Sequence, residues 1–206
     1  MKKTILFIII LIGLSSCSDS KKSKSIHNIK LMDSIDSVLD ESQIVKYDED
    51  RDPWYGKEKK YSFVNIPARS KIFFNKFEFV QLLYDNQSRK IHHKVYIKGV
   101  KNFDKCLEFR KNEKSNFFES SNLNENNIEM MKPFKHTDVF QHLTDSNSYK
   151  LIKDKSILSF SCVDYTKSIM KPKPGNNFEY RFGYISETFN IWLIKRDKEE
   201  KRKVIK

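Results

Sequence analysis

The sequence is short of glycine, proline, cysteine and tryptophan, and these shortages exclude several classes of site. Its 206 residues contain 5 glycines, 5 prolines, 3 cysteines and 2 tryptophans. No glycine-rich loop that cradles phosphate is present, and no Gly-x-Ser-x-Gly turn presents a nucleophilic serine. No two cysteines stand in the Cys-x-x-Cys spacing of redox enzymes. The sequence therefore offers no standard motif for nucleotide binding, serine hydrolysis or thiol redox chemistry.

Long hydrophobic runs are also lacking. The apolar run from Ile5 to Leu14 is well below the ~20 residues that a membrane-spanning helix needs. Lys2 and Lys3 precede this run, and the small residues Ser15 and Ser16 follow it. A positive start, a short apolar core and a small-residue end are typical of a signal peptide. We expect residues 1–16 to be removed.

Cys17 comes directly after this segment. The tetrapeptide Leu14-Ser15-Ser16-Cys17 resembles the lipobox of bacterial lipoproteins, in which a leucine and two small residues precede a cysteine. The resemblance covers the first 17 residues and implies that Cys17 receives a diacylglycerol, becomes the first residue and is acylated on its amine, with chains such as palmitate. The alternative is an ordinary secretory signal with a chance cysteine.

The lipobox resemblance also implies a location in the bacterial cell envelope. In lipoproteins an aspartate directly after the cysteine can retain the protein in the inner membrane. Here Ser18 takes that place and Asp19 follows, which favours the outer membrane. Ser18 to Ser25 contains no apolar side chain, so residues 17–27 are predicted to be a lipid-anchored cysteine and a flexible tether.

The chain is basic, with a formal net charge of +12. Loss of residues 1–16 removes two lysines and no acid, which leaves +10. A positive surface favours polyanions such as lipid headgroups or acidic glycans. Only 7 of the 39 basic residues are arginine, however, and codon bias in an AT-rich genome produces the same lysine excess. Expected partners are membrane lipid through Cys17 and an envelope protein or glycan, with no nucleic acid.

Hydrophobic periodicity predicts one α+β domain over residues 28–195, with an antiparallel sheet built from hairpins and two or three flanking helices. Residues 196–206 are predicted to form a charged, frayed tail. Helices are predicted at Asn28–Gln43 and Asn102–Arg110, a helical turn at Asp138–Leu143, and a surface connection over the twenty residues after Arg110. Strands are predicted at Lys60–Ile66, Lys71–Phe74, Phe77–Tyr84, Lys90–Lys98, Ile157–Tyr165, Phe178–Tyr184 and Thr188–Lys195. The third and fourth strands, and the last two, are predicted to form hairpins.

Two groups of residues have metal-ligand chemistry. Asp48, Asp50 and Asp52 alternate like the first ligands of a calcium loop, but Pro53 and Lys59 replace the required glycine and glutamate. A solvated acidic turn is the favoured interpretation, with an irregular calcium site as the alternative.

Two histidines and a carboxylate, which could hold zinc, lie close together at His136, Asp138 and His142. Their spacing matches no zinc motif, and Asp138 could instead cap a helix. His92 and His93 are predicted to point to opposite sheet faces, so that they cannot bind one ion together. We expect no metal and no cofactor.

Cys106 and Cys162 are a candidate disulfide pair. Outside the cytoplasm a bond between them is plausible, since both are predicted to face the core. The equally weighted alternative is two buried, unreactive thiols.

The sequence identifies no catalytic residue, and the most favoured function is a non-catalytic binding module of the envelope. Its exposed aromatic side chains, with Trp54 and Tyr55 as candidates, and its basic surface would engage a partner. One alternative is an immunity or inhibitor protein against an envelope-acting toxin. The other is an envelope hydrolase or metalloenzyme with a nonstandard site.

Overall fold

The computed structural model describes residues 29–47, 60–67, 77–121, 123, 126–137, 141–168 and 176–204, with side chains to residue 196. These residues form an α+β fold with a large antiparallel sheet, as predicted. The strands are β1 (Tyr61–Pro67), β2 (Phe79–Asp85), β3 (Ile91–Gly99), β4 (Ile128–Met130), β5 (Phe134–Thr137), β6 (Leu143–Leu151), β7 (Ile157–Asp164) and β8 (Phe178–Ile185). The helices are α1 (Glu41–Tyr47), α2 (Phe103–Ser120) and α3 (Glu187–Val204).

The strand order is β1-β2-β3-β8-β7-β6-β4, with β5 also paired to β6. Helix α2 packs on one face of the sheet against β7 and β8. Helix α3 packs on the opposite face through Phe189, Trp192 and Leu193. We call these faces the α2 face and the α3 face. Side chains alternate between them along each strand, which divides the core into separate layers.

The hairpin of β2 and β3 is confirmed, as is the strand over Ile157–Tyr165, which is β7. Both segments have the alternating or continuous apolar pattern of buried strands. The strand predicted at Lys71–Phe74 lies outside the described residues. The helical turn predicted at Asp138–Leu143 is wrong over its described part, because Gln141 and His142 are not helical and Leu143 begins β6 and pairs with Asp164.

The single helix predicted over Asn28–Gln43 is wrong. Residues 29–34 form turns and a bridge, a short 3-10 helix covers Ile35–Ser37, and α1 begins only at Glu41. Asp40 caps α1 by accepting from the amide of Gln43, whose side chain accepts from the amide of Asp40. This reciprocal cap starts a new helix where the prediction continued an old one. The segment nonetheless buries the predicted apolar residues Ile35, Val38 and Leu39 on the α2 face.

The helix predicted at Asn102–Arg110 is confirmed but is longer than expected, because α2 continues to Ser120. Asn102 caps it by accepting from the amide of Lys105. The surface connection predicted after Arg110 is therefore wrong for its first ten residues. Phe117 and Phe118 lie in this part, where their rings pack against Phe160 of β7.

The second hairpin is wrong in its second strand, since residues Thr188–Lys195 belong to α3. The hydroxyl of Ser186 accepts from the amide of Phe189 and so caps the first turn of this helix. Phe189, Trp192 and Leu193 then recur at helical spacing on the buried side. The tail predicted from Arg196 is also corrected, because α3 runs to Val204 and crosses the predicted domain end at 195.

Candidate functional site

Several candidate residues of the sequence lie outside the described residues. These are the lipidation candidate Cys17, the acidic residues Asp48, Asp50 and Asp52, the aromatic residues Trp54 and Tyr55, and Asp138. Their roles stay predictions.

The two histidines of the candidate zinc group have different neighbours. His136 lies on β5 beside the ring of Phe134, with ring centroids 5.5 Å apart. His142 precedes β6 and contacts the ring of Tyr165 edge-on at 4.7 Å. Within the described ranges, no three His, Cys, Asp or Glu side chains form a group that could hold a metal ion.

The prediction that His92 and His93 point to opposite sheet faces is wrong. The register with β2 shifts at this point, so that His93 pairs with Leu83 and Ile91 pairs with Tyr84. The extra residue forms a bulge, which interrupts the alternation of side chains. The His92 ring contacts Tyr61 and the His93 ring contacts Phe189, two rings that also contact each other.

Burial favours the neutral form of both imidazoles. Burial and, to a smaller extent, the nearby charge of Arg181 lower the pKa of His93 to about 3. Burial also lowers the pKa of His92, opposed in part by the charge of Asp85. Neutral rings pack against aromatic neighbours without the cost of a buried charge.

His92 and Ser186 make a serine–histidine contact, with Nδ1 and Oγ 2.9 Å apart. The same Oγ accepts from the amide of Phe189, and the amide of Ser186 donates to the carbonyl of His92. Both side chains are buried. The serine therefore serves as the cap of α3 and joins this helix to β3, which favours a structural role over a nucleophilic one.

A disulfide joins Cys106 of α2 to Cys162 of β7, with a Cα–Cα distance of 5.8 Å. Both residues are fully buried. One turn further along α2, Arg110 donates to the backbone carbonyl of Asp145 at 2.8 Å and pairs with its carboxylate. A covalent bond and an ion pair thus hold α2 against the centre of β6 and β7.

Four serines form a hydroxyl cluster on the opposite, α3 face of the same strands. We call Ser146 and Ser148 of β6 with Ser159 and Ser161 of β7 the serine face. Their hydroxyl oxygens lie 2.8 Å (Ser161 to Ser146), 3.0 Å (Ser146 to Ser159 and Ser159 to Ser161), 3.2 Å (Ser146 to Ser148) and 3.5 Å (Ser148 to Ser159) apart. Ser146 is buried and the other three are half-buried.

The serine face has more acceptor capacity than it uses internally. Four hydroxyls carry four protons, so they cannot fill all five of these contacts with hydrogen bonds at once. Each oxygen also has two lone pairs, which leaves acceptor sites for the donors of a ligand or for water. The arrangement suits binding of a polar group better than nucleophilic attack, because the hydroxyls contact one another rather than a general base.

A charged cluster borders the serine face on β8. Arg181 pairs across the ladder with Ser161 and donates to the carboxylate of Glu179 at 2.9 Å. The hydroxyl of Tyr165 donates to the same carboxylate at 3.1 Å. The Glu179 carboxylate is buried, whereas the Arg181 side chain is 32% exposed. This pairing places the half-buried Arg181 side chain beside the hydroxyls.

The serine face was missed in the sequence although a signal for it is present. Ser146 and Ser148, like Ser159 and Ser161, stand two residues apart, the spacing that places side chains on one sheet face. The pairing of β6 with β7 could not be predicted, because β6 itself was not recognised.

Comparison with known proteins leaves the function to be argued from these residues. No protein-family model matches the chain, and no curated protein or solved structure matches it either. Of the helices in the described part of the chain, none is both long enough and apolar enough to cross a membrane.

Proposed function

We propose that the chain is a lipid-anchored lipoprotein of the bacterial cell envelope, with the outer membrane favoured, whose mature domain is a non-catalytic binding module. The anchor is Cys17, which resembles a lipobox cysteine. The bond between Cys106 and Cys162 supports this location, because disulfides persist in oxidising compartments such as the envelope.

The observation that carries the binding role is the serine face with its neighbour Arg181. It groups the four hydroxyls of β6 and β7, three of them half-buried, with the guanidinium of Arg181 on the neighbouring strand β8. Hydroxyls and guanidinium groups bind the polar atoms of a protein or glycan through directed hydrogen bonds. The partner proposed for this surface is an envelope protein or glycan.

The anchor is tested by intact mass and phase partition. The mature protein purified from its own envelope should carry the mass of its acyl chains and enter the detergent phase. Cys17→Ser should move the protein to the soluble fraction. A mature mass equal to that of the bare polypeptide would refute lipidation.

The binding role is tested by pull-down of the lipidated protein from its own envelope. A stoichiometric protein or glycan should be recovered with the native chain and lost with Ser148→Tyr, because the larger ring covers the serine face. Lys111→Tyr adds the same ring at an exposed position of α2 and serves as the control. Equal recovery with both variants would contradict the proposed surface.

A further inference from the structure

The outer edge of the sheet beyond β6 carries exposed apolar side chains. Met130 is 68% exposed, Phe134 is 52% exposed and Met131 is 37% exposed. Lys132 and Lys135 lie between and beside them and are also exposed. We call these five residues the β4–β5 rim. Met130 pairs with Tyr149 and so lies on the α2 face, whereas Phe134 pairs with Ser146 and so lies on the α3 face. Both sides of this edge therefore carry exposed apolar side chains, and such a concentration at one edge marks an interaction site.

The rim is an edge strand interrupted by a bulge. Met130 pairs with Tyr149 and Phe134 pairs with Ser146, so three residues of the rim strand stand opposite two residues of β6. Pro133 lies inside this bulge and has no amide proton to donate. Among the described strands, none pairs with the outer side of β4 or β5.

These features discourage the addition of another strand to the edge. A bulge, a proline and lysines are the devices by which native edge strands avoid pairing with other chains. A peptide that extends the sheet is therefore a poor occupant for the rim. A partner that covers the exposed Met and Phe side chains must therefore bind without forming backbone hydrogen bonds to this edge.

A lipid surface meets that condition. Methionine and phenylalanine side chains can enter the boundary between headgroups and acyl chains, while lysines extend their ammonium groups to anionic headgroups. Glu129 is the single acidic residue in the segment 128–137, against the two lysines of the rim. The mature chain as a whole is also positive by ten charges. The positive charge and the exposed apolar side chains of the rim therefore both favour an anionic bilayer as its occupant.

The length of the predicted tether also allows the rim to reach the membrane that holds the proposed anchor at Cys17. The described chain begins beside β3, where the carbonyl of Ile29 accepts from the buried Lys94. The rim lies four strand positions away from β3, or about 19 Å at about 4.8 Å per strand. The tether predicted from the composition of residues 17–27 would, as a flexible coil, span roughly 20 Å. The anchor and the rim can therefore contact one bilayer together.

We infer that the β4–β5 rim is a second membrane contact, in which Met130, Met131 and Phe134 insert at the surface of an anionic phospholipid bilayer and Lys132 and Lys135 bind its headgroups. The lipid on Cys17 holds the protein to the membrane, and the rim sets the orientation of the domain. The serine face then stands on a sheet that meets the membrane by its edge.

The test separates the rim from the anchor by using the mature chain from residue 17 with Cys17→Ser, which cannot be lipidated. Its binding to vesicles of phosphatidylcholine mixed with phosphatidylglycerol is measured by co-sedimentation. Binding should be detectable, should weaken with salt, and should fall by about tenfold or more in Met130→Ser/Phe134→Ser. The control is Val45→Ser/Ile191→Ser, which removes apolar side chains that are 69% and 60% exposed elsewhere.

Charge reversal gives a second, independent measurement. Lys132→Glu/Lys135→Glu should lower binding to these vesicles by about tenfold or more, whereas Lys101→Glu/Lys111→Glu changes the net charge equally at other exposed positions and should lower it less. Absence of vesicle binding by the unlipidated chain, or equal losses in test and control variants, would overturn the rim as a membrane contact. Neither result would affect the anchor, which is judged by the acyl mass on Cys17.

Discussion

The strands β1 and β2 differ from β6 and β7 on the α3 face. Beneath α3, strands β1 and β2 present Tyr61, Phe63 and Leu83, which pack with Phe189. On the same face, β6 and β7 present four serines. The opposite, α2 face is apolar in both regions. On the α3 face, β1 and β2 are covered by α3 at Tyr61, Phe63 and Leu83, although the half-buried pair of Asn65 and Gln81 is also polar. β6 and β7 instead present a cluster of four hydroxyls there, which suits contact with another molecule.

The largest effect is expected in the aromatic core under α2. Phe160 is fully buried among the rings of Phe117, Phe118, Tyr149 and Phe182. Phe160→Ala should lower the free energy of unfolding by roughly 3–5 kcal/mol, because it removes a large side chain and leaves a cavity. Thermal and denaturant unfolding measure this loss.

His136→Ala is the control for that core variant, since it should cost about 1 kcal/mol or less. Both variants and the native protein are unfolded with and without a chelator. Damage from His136→Ala equal to that from Phe160→Ala, or a large fall of the midpoint with chelator, would require a metal site and would contradict the binding-module account.

The next effect concerns the bond between α2 and β7. Cys106→Ala/Cys162→Ala should cost about 2–5 kcal/mol, since the bond closes a loop with a sequence separation of 56 residues. Digestion without reductant should yield the two cysteine peptides joined. Alkylatable thiols at both positions in protein taken from its envelope would contradict the bond and weaken the assignment to an oxidising compartment.

The junction between the two regions is tested at Gly183 of β8, which faces β3. A Cβ at this position would overlap the carbonyl oxygen of Lys94 and approach the Cα of Val95 to 3.0 Å. Because these obstacles are backbone atoms, Gly183→Ala should cost about 1–3 kcal/mol. At Gly99 the obstacle is the side chain of Asn176, which can rotate, so Gly99→Ala should cost less in the same unfolding experiment.

Acid should weaken the packing of α3 on β3. The pKa of His93 is lowered to about 3, against 6.5 in the unfolded chain, so the unfolded state binds the proton first. Stability should therefore fall as pH decreases from 6.5 towards 3, by on the order of 1 kcal/mol per pH unit. His93→Gln should flatten this slope and His136→Gln should keep it. An unchanged slope in His93→Gln would contradict the assignment.

The smallest effect is expected on the serine face. Ser159→Ala removes one member of the hydroxyl cluster and should change the free energy of unfolding by about 0.2–1 kcal/mol, the range of a cross-strand pair. The variant should nevertheless weaken recovery of the envelope partner. A stability loss as large as that of Phe160→Ala would assign the serines to the core rather than to a binding surface.

The strands predicted correctly are those in which the pattern of apolar residues along the strand is sufficient to identify it. β2, β3 and β7 have continuous or alternating apolar residues, and their bounds were predicted closely. The helix α3 was mistaken for a strand because Phe189, Ile191 and Trp192 favour strands as residue types. The cap at Ser186 and the helical spacing of its buried residues overrode that preference.

The candidate site was harder to predict because it depends on contacts between distant segments. The sequence of β6, Leu143 to Leu151, is mostly polar and lacks the apolar pattern of a buried strand. It forms a strand because it pairs with β7. The bulge at His92 and His93 arises from a register shift that no local pattern reveals. Cys106 and Cys162 could be predicted as a candidate pair because each lies on the apolar, core-facing side of its predicted helix or strand.

The most direct test of the central claim is photo-crosslinking in the producing cell. A photoreactive amino acid is placed either at the position of Ser148, on the serine face, or at the position of Val45, which is exposed on α1 beside β1. The account predicts one specific crosslinked partner from the position of Ser148 and none from that of Val45. Crosslinks of equal yield from both positions, or a specific partner from Val45 alone, would contradict it.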